Sequence, residues 1–189
     1  MVDLKNIIKS AESANEESHG GYPPVEKWNP EHCGDIGLEI KSDGSWHYMN
    51  SPIGRKKIVN LFARILRKEA DGSYVLVTPV EKIIIKVDDV PFIAVDVNIT
   101  GSGRDAMLSF STNTGDTVVA SEKYPIRVII DPKTEEPSPY VLVRSKLEAK
   151  ISRSVFYDLV NLGEEFNGYF GIWSGGCFFP FMKASELID

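Results

Sequence analysis

The sequence predicts an α+β protein made of two related subdomains, each a set of antiparallel strands packed by one main helix. Three observations predict it. Short Val- and Ile-rich runs bounded by Gly, Asp, Asn and Pro recur along the chain, the pattern of strands joined by turns. Few stretches carry the apolar spacing of an amphipathic helix. The order of elements in the first half also returns in the second: strand, turn, strand, Ser-led helix, Gly-containing turn, Tyr, strand. At an offset of 101, Val59-Asn60-Leu61 matches Val160-Asn161-Leu162, and Ser51 matches Ser152.

Residues 3–18 read as a short helix, with Leu4, Ile7, Ile8 and Ala11 at helical spacing. His19-Gly20-Gly21 stops it, and Tyr22-Pro23-Pro24 reads as extended chain. Residues 1–31 therefore form a helix and Pro-rich arm. The first subdomain is expected over 32–90. Ile36, Leu38 and Ile40 alternate with polar or small residues, Asp43-Gly44 is a hairpin turn, and Trp46 and Tyr48 lie on the return strand. Ser51-Pro52 reads as a helix entry. That helix is expected to run to about Glu69, burying Ile58, Leu61, Phe62, Ile65 and Leu66. The second subdomain is expected over 91–189. Its strand signals include 92–98, a hairpin whose loop is Thr112–Asp116, a strand at 126–131 and a hairpin of 140–143 with 147–151. A helix led by Ser152 with core positions Val155, Phe156, Leu159 and Val160 follows, then two closing strands.

Composition bounds the function. The 189 residues carry 21 Lys and Arg against 27 Asp and Glu, a formal net charge of −6. That argues against an extended nucleic-acid partner, which needs a basic face. Two cysteines make neither a disulfide scaffold nor a four-cysteine zinc site. No stretch approaches a membrane span, and the first residues do not read as a signal peptide, so a cytoplasmic protein is expected. No dinucleotide fingerprint, Walker loop, nucleophile elbow or HExxH spacing is present. No catalytic residue, metal or cofactor is expected.

The positive charge is local. Residues 53–68 hold Arg55, Lys56, Lys57, Arg64, Arg67 and Lys68 and no acid. Arg67 and Lys68, near the expected helix end, suit the macrodipole, whereas those at 55–57 oppose it. Helical geometry turns Arg55 inward, and a buried guanidinium requires a partner. Two partners stand: an internal carboxylate such as Asp35 or Glu81, or the phosphate or carboxylate of a ligand at the helix start. Arg144 and Arg153 flank the start of the second helix. Trp173-Ser174-Gly175-Gly176 pairs an aromatic ring with two glycines, a place for a ligand ring to stack or for plain core packing. Asn113 sits in a polar turn. The adjacent His32-Cys33 is the one thiol–imidazole pair, although neighbours in an extended chain point to opposite sides.

Across nearly the whole chain after the arm, these residues resemble a bacterial family catalogued as domain of unknown function 1285. The resemblance rests on Pro23-Pro24-Val25 with Trp28 and Pro30, Cys33-Gly34-Asp35-Ile36, Asp43-Gly44 with Trp46, Ser51-Pro52-Ile53 with Arg55, and Val77-Thr78-Pro79-Val80-Glu81. Thr112-Asn113 with Gly115-Asp116, Pro139-Tyr140-Val141 with Arg144, Arg153-Ser154-Val155 and Trp173-Ser174-Gly175-Gly176 with Phe179-Pro180 continue it. The chain departs from the family pattern at Gly37 and Glu39. The resemblance implies a second subdomain superficially like a pleckstrin-homology domain, strands followed by a packing helix. It also implies a pocket at the subdomain junction, for a nucleotide-like ligand, and a part in bacterial signalling. The expected function is thus a small-ligand-binding module in which Arg55, Arg144 and Arg153 hold an anion, Trp173 stacks and Asn113 hydrogen-bonds. The competing expectations are a protein-interaction adaptor and an enzyme using Cys33 or Asp35.

Overall fold

A computed structural model describes residues 4–19 and 21–186; the side chains of His32 and Cys33, and with them the thiol–imidazole reading, lie outside the described residues. The chain divides between Pro91 and Phe92 into two units. The first runs α1 (Leu4–Glu17), β1 (His32–Ile40), β2 (Trp46–Tyr48), β3 (Ser51–Pro52), α2 (Lys56–Arg64), β4 (Leu66–Lys68), β5 (Tyr74–Val77) and β6 (Lys82–Val87). The second runs β7 (Phe92–Thr100), β8 (Met107–Thr112), β9 (Thr117–Val119), β10 (Ile126–Ile130), β11 (Pro137–Arg144), β12 (Leu147–Ile151), α3 (Arg153–Asn161), β13 (Glu164–Phe166), β14 (Tyr169–Ser174) and β15 (Cys177–Lys183).

The duplication is a matter of strand order. The first sheet is ordered β3-β2-β1-β6-β5-β4, and the second β9-β8-β7-β12-β11-β10, the same path. In each, the first and sixth strands meet in the middle as a parallel pair, Ile40 opposite Val87 and Ile151 opposite Ala94. The other strand pairs of both sheets are antiparallel. The second unit adds an antiparallel sheet of β13, β14 and β15.

The helices correct the offset of 101. Helix α2 stands between the third and fourth strands of its sheet, whereas α3 follows the sixth of its own. A tight turn, in which Ser121 and Tyr124 exchange backbone bonds of 3.1 and 3.0 Å, takes the place of α2 in the second unit. The match of Val59-Asn60-Leu61 to Val160-Asn161-Leu162 thus pairs two helices that do not correspond.

Helix α2 is also shorter than its composition suggests. Ser51 and Pro52 pair with Tyr48 and His47 as a strand. Met49 and Asn50 turn the chain between them with φ of 49° and 65°, the geometry of a two-residue hairpin loop. Met49 reaches Gly37, whose φ of +78° is a conformation that L side chains rarely adopt, so the backbone favours glycine there; a Cβ would also lie 2.7 Å from the flexible Met49 sulfur. At the other end, the last residues of the expected helix form β4, paired with β5.

The core of the first unit gathers Leu38, Ile40, Trp46, Phe62, Ile65, Leu66, Leu76 and Ile83. The arm packs on it. Ile7, Ala11 and Ala14 of α1 are buried, and Arg64 donates to the Asn15 side chain and the Gly21 carbonyl. Phe92, Ala94, Leu108, Phe110, Val141, Leu147, Ala149 and Leu159 fill the second core.

Candidate functional site

Arg55 does not point inward. It is the N-cap position of α2 and is exposed. Neither expected carboxylate is its partner: Asp35 accepts the Gly37 N–H at 2.7 Å, and Glu81 accepts the Ser10 hydroxyl at 2.6 Å. The buried guanidinium of this segment belongs instead to Arg67, 7% exposed on β4. It donates to the carbonyls of Val25 at 2.6 Å and Trp28 at 2.7 Å, and to Glu69 at 2.6 Å. One charged fork thereby fastens the Pro-rich arm to the sheet. The inward basic residue of this segment is thus Arg67 and not Arg55: Arg55 precedes α2 in extended backbone, and Arg67 lies on β4 where the last helical turn was expected.

Two predicted residues, Asn113 and Arg144, meet at the start of β7. Asn113 holds the backbone of Ile93 on both sides, accepting its N–H at 3.0 Å and donating its own N–H to the carbonyl at 2.9 Å. Arg144 lies 5.2 Å from the centre of the Phe92 ring. Burial pushes the Asp116 carboxyl above the ordinary carboxylate range, and the Arg144 charge partly offsets this. Around Asp116 the hairpin is knit by hydroxyls: Thr114 donates to it at 3.2 Å, and Thr112 accepts the Asp116 N–H at 2.9 Å. The next residue on β7, Ala94, accepts the Ser152 N–H at 3.0 Å, and so sets the start of α3.

That start places Arg153 on the wall of a cavity of about 420 Å³. Its apolar lining comes from Ile151, Phe156, Val160 and Met182, with Pro137 and Pro139 of β11. Its polar lining includes Lys150, Arg153, Tyr157 and Glu136. Arg153 donates its Nε to the Tyr157 hydroxyl at 3.2 Å, an i, i+4 contact along the helix. The terminal N–H groups of its guanidinium have no partner among the described residues. The volume falls within the 300–1,000 Å³ typical of small-molecule sites, and an apolar lining with a few polar groups is their usual make-up. Lys150 and Tyr157 were not foreseen. Their signal was the alternation Lys150-Ile151 running into Arg153, one turn before Tyr157.

Trp173 lies elsewhere in the second unit. Its indole N–H donates to Glu164 at 2.6 Å. Phe166 and Phe178 pack on it at 4.9 and 5.2 Å between ring centres, and the Arg104 guanidinium sits 5.0 Å away. It borders a smaller cavity of about 120 Å³ with Leu108, Leu162 and Ile172. Trp173 and Arg153 thus line different cavities. No group of three or more His, Cys, Asp and Glu side chains able to hold a metal occurs among the described residues. No helix among them is long and apolar enough to cross a membrane.

Comparison with known families agrees with the two-unit division. The N-terminal domain of the domain of unknown function DUF1285 matches residues 23–90, and the C-terminal domain of the same family matches residues 91–181. The chain belongs to the DUF1285 family. A crystal structure of a DUF1285 family protein from Silicibacter pomeroyi DSS-3 is 49% identical, over 95% of this chain and 96% of that one, with a TM-score of 0.87. Another DUF1285 family protein, from Shewanella baltica OS155, is 28% identical over 70% of this chain and 94% of that one, with a TM-score of 0.51. None of the curated proteins matches the chain. Membership of DUF1285 assigns no activity.

Proposed function

We propose that this DUF1285 protein is a non-enzymatic module whose second unit binds a small anionic ligand with a flat apolar body, of which a nucleotide is the expected type. The observation that carries the reading is the 420 Å³ cavity whose lining joins Lys150 and Arg153 to apolar side chains. In this reading Arg153 forks onto the phosphate or carboxylate and Lys150 adds a second charge. The ligand body lies on Phe156 and Val160 beside the Tyr157 ring. Asn113 and Arg144 act as positioning residues through β7, and Trp173 acts as aromatic core. Arg55, on the other unit, takes no part. Binding without chemistry suits a sensor in bacterial signalling.

Calorimetry of the full chain against nucleoside mono-, di- and triphosphates tests it. Loss of a charge-assisted bond of about 1.5–3 kcal/mol makes Arg153→Ala about ten- to a hundredfold weaker. Its thermal stability stays that of the parent, because Arg153 is exposed. No heat from any of these ligands at about millimolar concentration overturns the proposal.

A protein-interaction adaptor is the second reading. Its support is β10, the last strand of its sheet, with Ile129 50% and Ile130 39% exposed. Ile129→Lys would then abolish capture of a partner while leaving ligand calorimetry unchanged.

A further inference from the structure

The turn that joins β5 to β6, Thr78-Pro79-Val80-Glu81, holds a carboxylate in an unusual setting. Thr78 is fully buried, and its hydroxyl oxygen accepts the N–H groups of Val80 at 3.4 Å and Glu81 at 3.2 Å. The turn is therefore fixed, and it carries Glu81 into the protein, 8% exposed. Its carboxylate receives one hydrogen bond, from Ser10 of α1 at 2.6 Å, and forms no ion pair among the described residues. A carboxylate offers about four acceptor positions. The oxygen not engaged by Ser10 keeps some contact with solvent, so a counter-charge arriving from outside can reach it.

The space for that counter-charge is present. A cavity of about 540 Å³ lies between α1 and the turn, with Ser10, Ser13 and Glu17 on one wall and Pro79, Val80 and Glu81 on the other. Lys9 also borders it. Val80 is 72% exposed, a bare isopropyl group beside a buried carboxylate. Residues 1–90 hold 14 acids against 12 bases, so the unit as a whole attracts a cation.

We propose that this cavity is a binding site for a primary alkylammonium group. The ammonium sits on the Glu81 carboxylate, and the oxygens of Ser10 and Ser13 accept its other N–H bonds. The methylene stem lies along Pro79 and Val80, as lysine stems lie on apolar surface. Ser10 already occupies one Glu81 oxygen. That favours a compact point charge over the two-pronged guanidinium, which needs both oxygens. The same chemistry reaches the site from a free diamine or from a lysine side chain of a partner protein. The proposal is independent of the anion cavity in the second unit.

Calorimetry of the full chain at low salt, with putrescine and with a short lysine-containing peptide, tests it. At least one binds the parent, about tenfold or more tighter than Glu81→Gln. Acetylating the lysine, or replacing it with arginine, weakens the peptide by a similar factor. Tighter binding of putrescine assigns the site to a free amine, and tighter binding of the peptide assigns it to a partner's lysine. Ser13→Lys tethers an ammonium in the cavity; it raises the melting temperature and blocks both probes, a readout that does not depend on Glu81→Gln folding. The proposal is overturned if neither probe binds at about 10 mM. Equal affinity for the parent and Glu81→Gln, or unchanged affinity in Ser13→Lys, overturns it as well.

Discussion

Arg67→Ala should release the Pro-rich arm. The guanidinium is 7% exposed and makes three short contacts, to the carbonyls of Val25 and Trp28 and to Glu69. Removing it leaves two carbonyls without their donor. Val25 is buried, so its carbonyl bears the larger loss; Trp28 is half-buried and recovers part of its loss from water. Glu69 is 29% exposed and keeps Lys82 at 3.9 Å, so it loses least. Breaking one side of such a buried charged contact costs about 3–5 kcal/mol. Part of that is regained because the arginine itself no longer has to be desolvated, which places the net near the lower end. Hydrogen exchange read by mass spectrometry localises the effect. A loss of about 3 kcal/mol quickens exchange in residues 21–30 roughly a hundredfold. Peptides from residues 92–186 keep their rates and serve as the internal control. Arg67→Lys keeps the charge but not the fork, and should recover about half of the loss in free energy. If Arg67→Ala changes arm exchange by less than about tenfold, the guanidinium is not what holds the arm.

Two tryptophans should respond in opposite ways to the same substitution. Trp46 is 2% exposed and its indole N–H has no acceptor among the described residues, so Trp46→Phe removes a buried orphan donor and changes stability by less than about 1 kcal/mol. Trp173→Phe deletes the bond to Glu164 and costs about 2 kcal/mol; urea midpoints in the reverse order would refute this. Asp116 sets a pH dependence. Its carboxyl is raised by burial, with Arg144 opposing, so the folded state holds the proton more tightly than the unfolded chain. Its contribution to stability therefore declines as pH rises from the ordinary Asp value through the raised one. Asp116→Asn should raise the unfolding midpoint at neutral pH, with the gain vanishing below about pH 4. A variant that loses stability at neutral pH contradicts the sign.

Much of the fold was legible because its turns are chemically explicit. Asp43-Gly44 and the Thr112–Asp116 loop each mark a boundary that side-chain chemistry decides locally, whereas Ser152 stands at the N-cap of α3 without a capping bond from its hydroxyl. The error at α2 has a physical cause. Ile65-Leu66 is an apolar run too short to separate helix from strand. Pairing with Tyr74–Leu76 decides in favour of strand, through a hairpin whose Asp71-Gly72 turn reads equally well as the end of a helix. Both ends of that helix differ from the expectation: its later start leaves Arg55 outside it, and its earlier end puts Arg67 on a buried strand. Asn113 and Arg144, distant in sequence, meet at Phe92 and Ile93 because β7 lies at the centre of its sheet. Glu81 was considered only as a partner for Arg55, because nothing local to it announces that Ser10 of α1 packs against its turn.

Each six-stranded sheet has its first and last strands side by side at its centre. A nascent chain can zip β1–β2–β3 and β4–β5–β6 as they emerge, but the seam between them closes only when Val87 has been made. The second seam waits in the same way for Ile151. Both closures join segments distant in the chain, the slow kind of step in folding. Until then each half presents an unpaired central edge, and the two units offer edges of the same order and direction. A ribosome delivering this chain thus presents two interchangeable seams in succession, and the misfolded product to look for is one in which a strand of the first unit has closed the seam of the second.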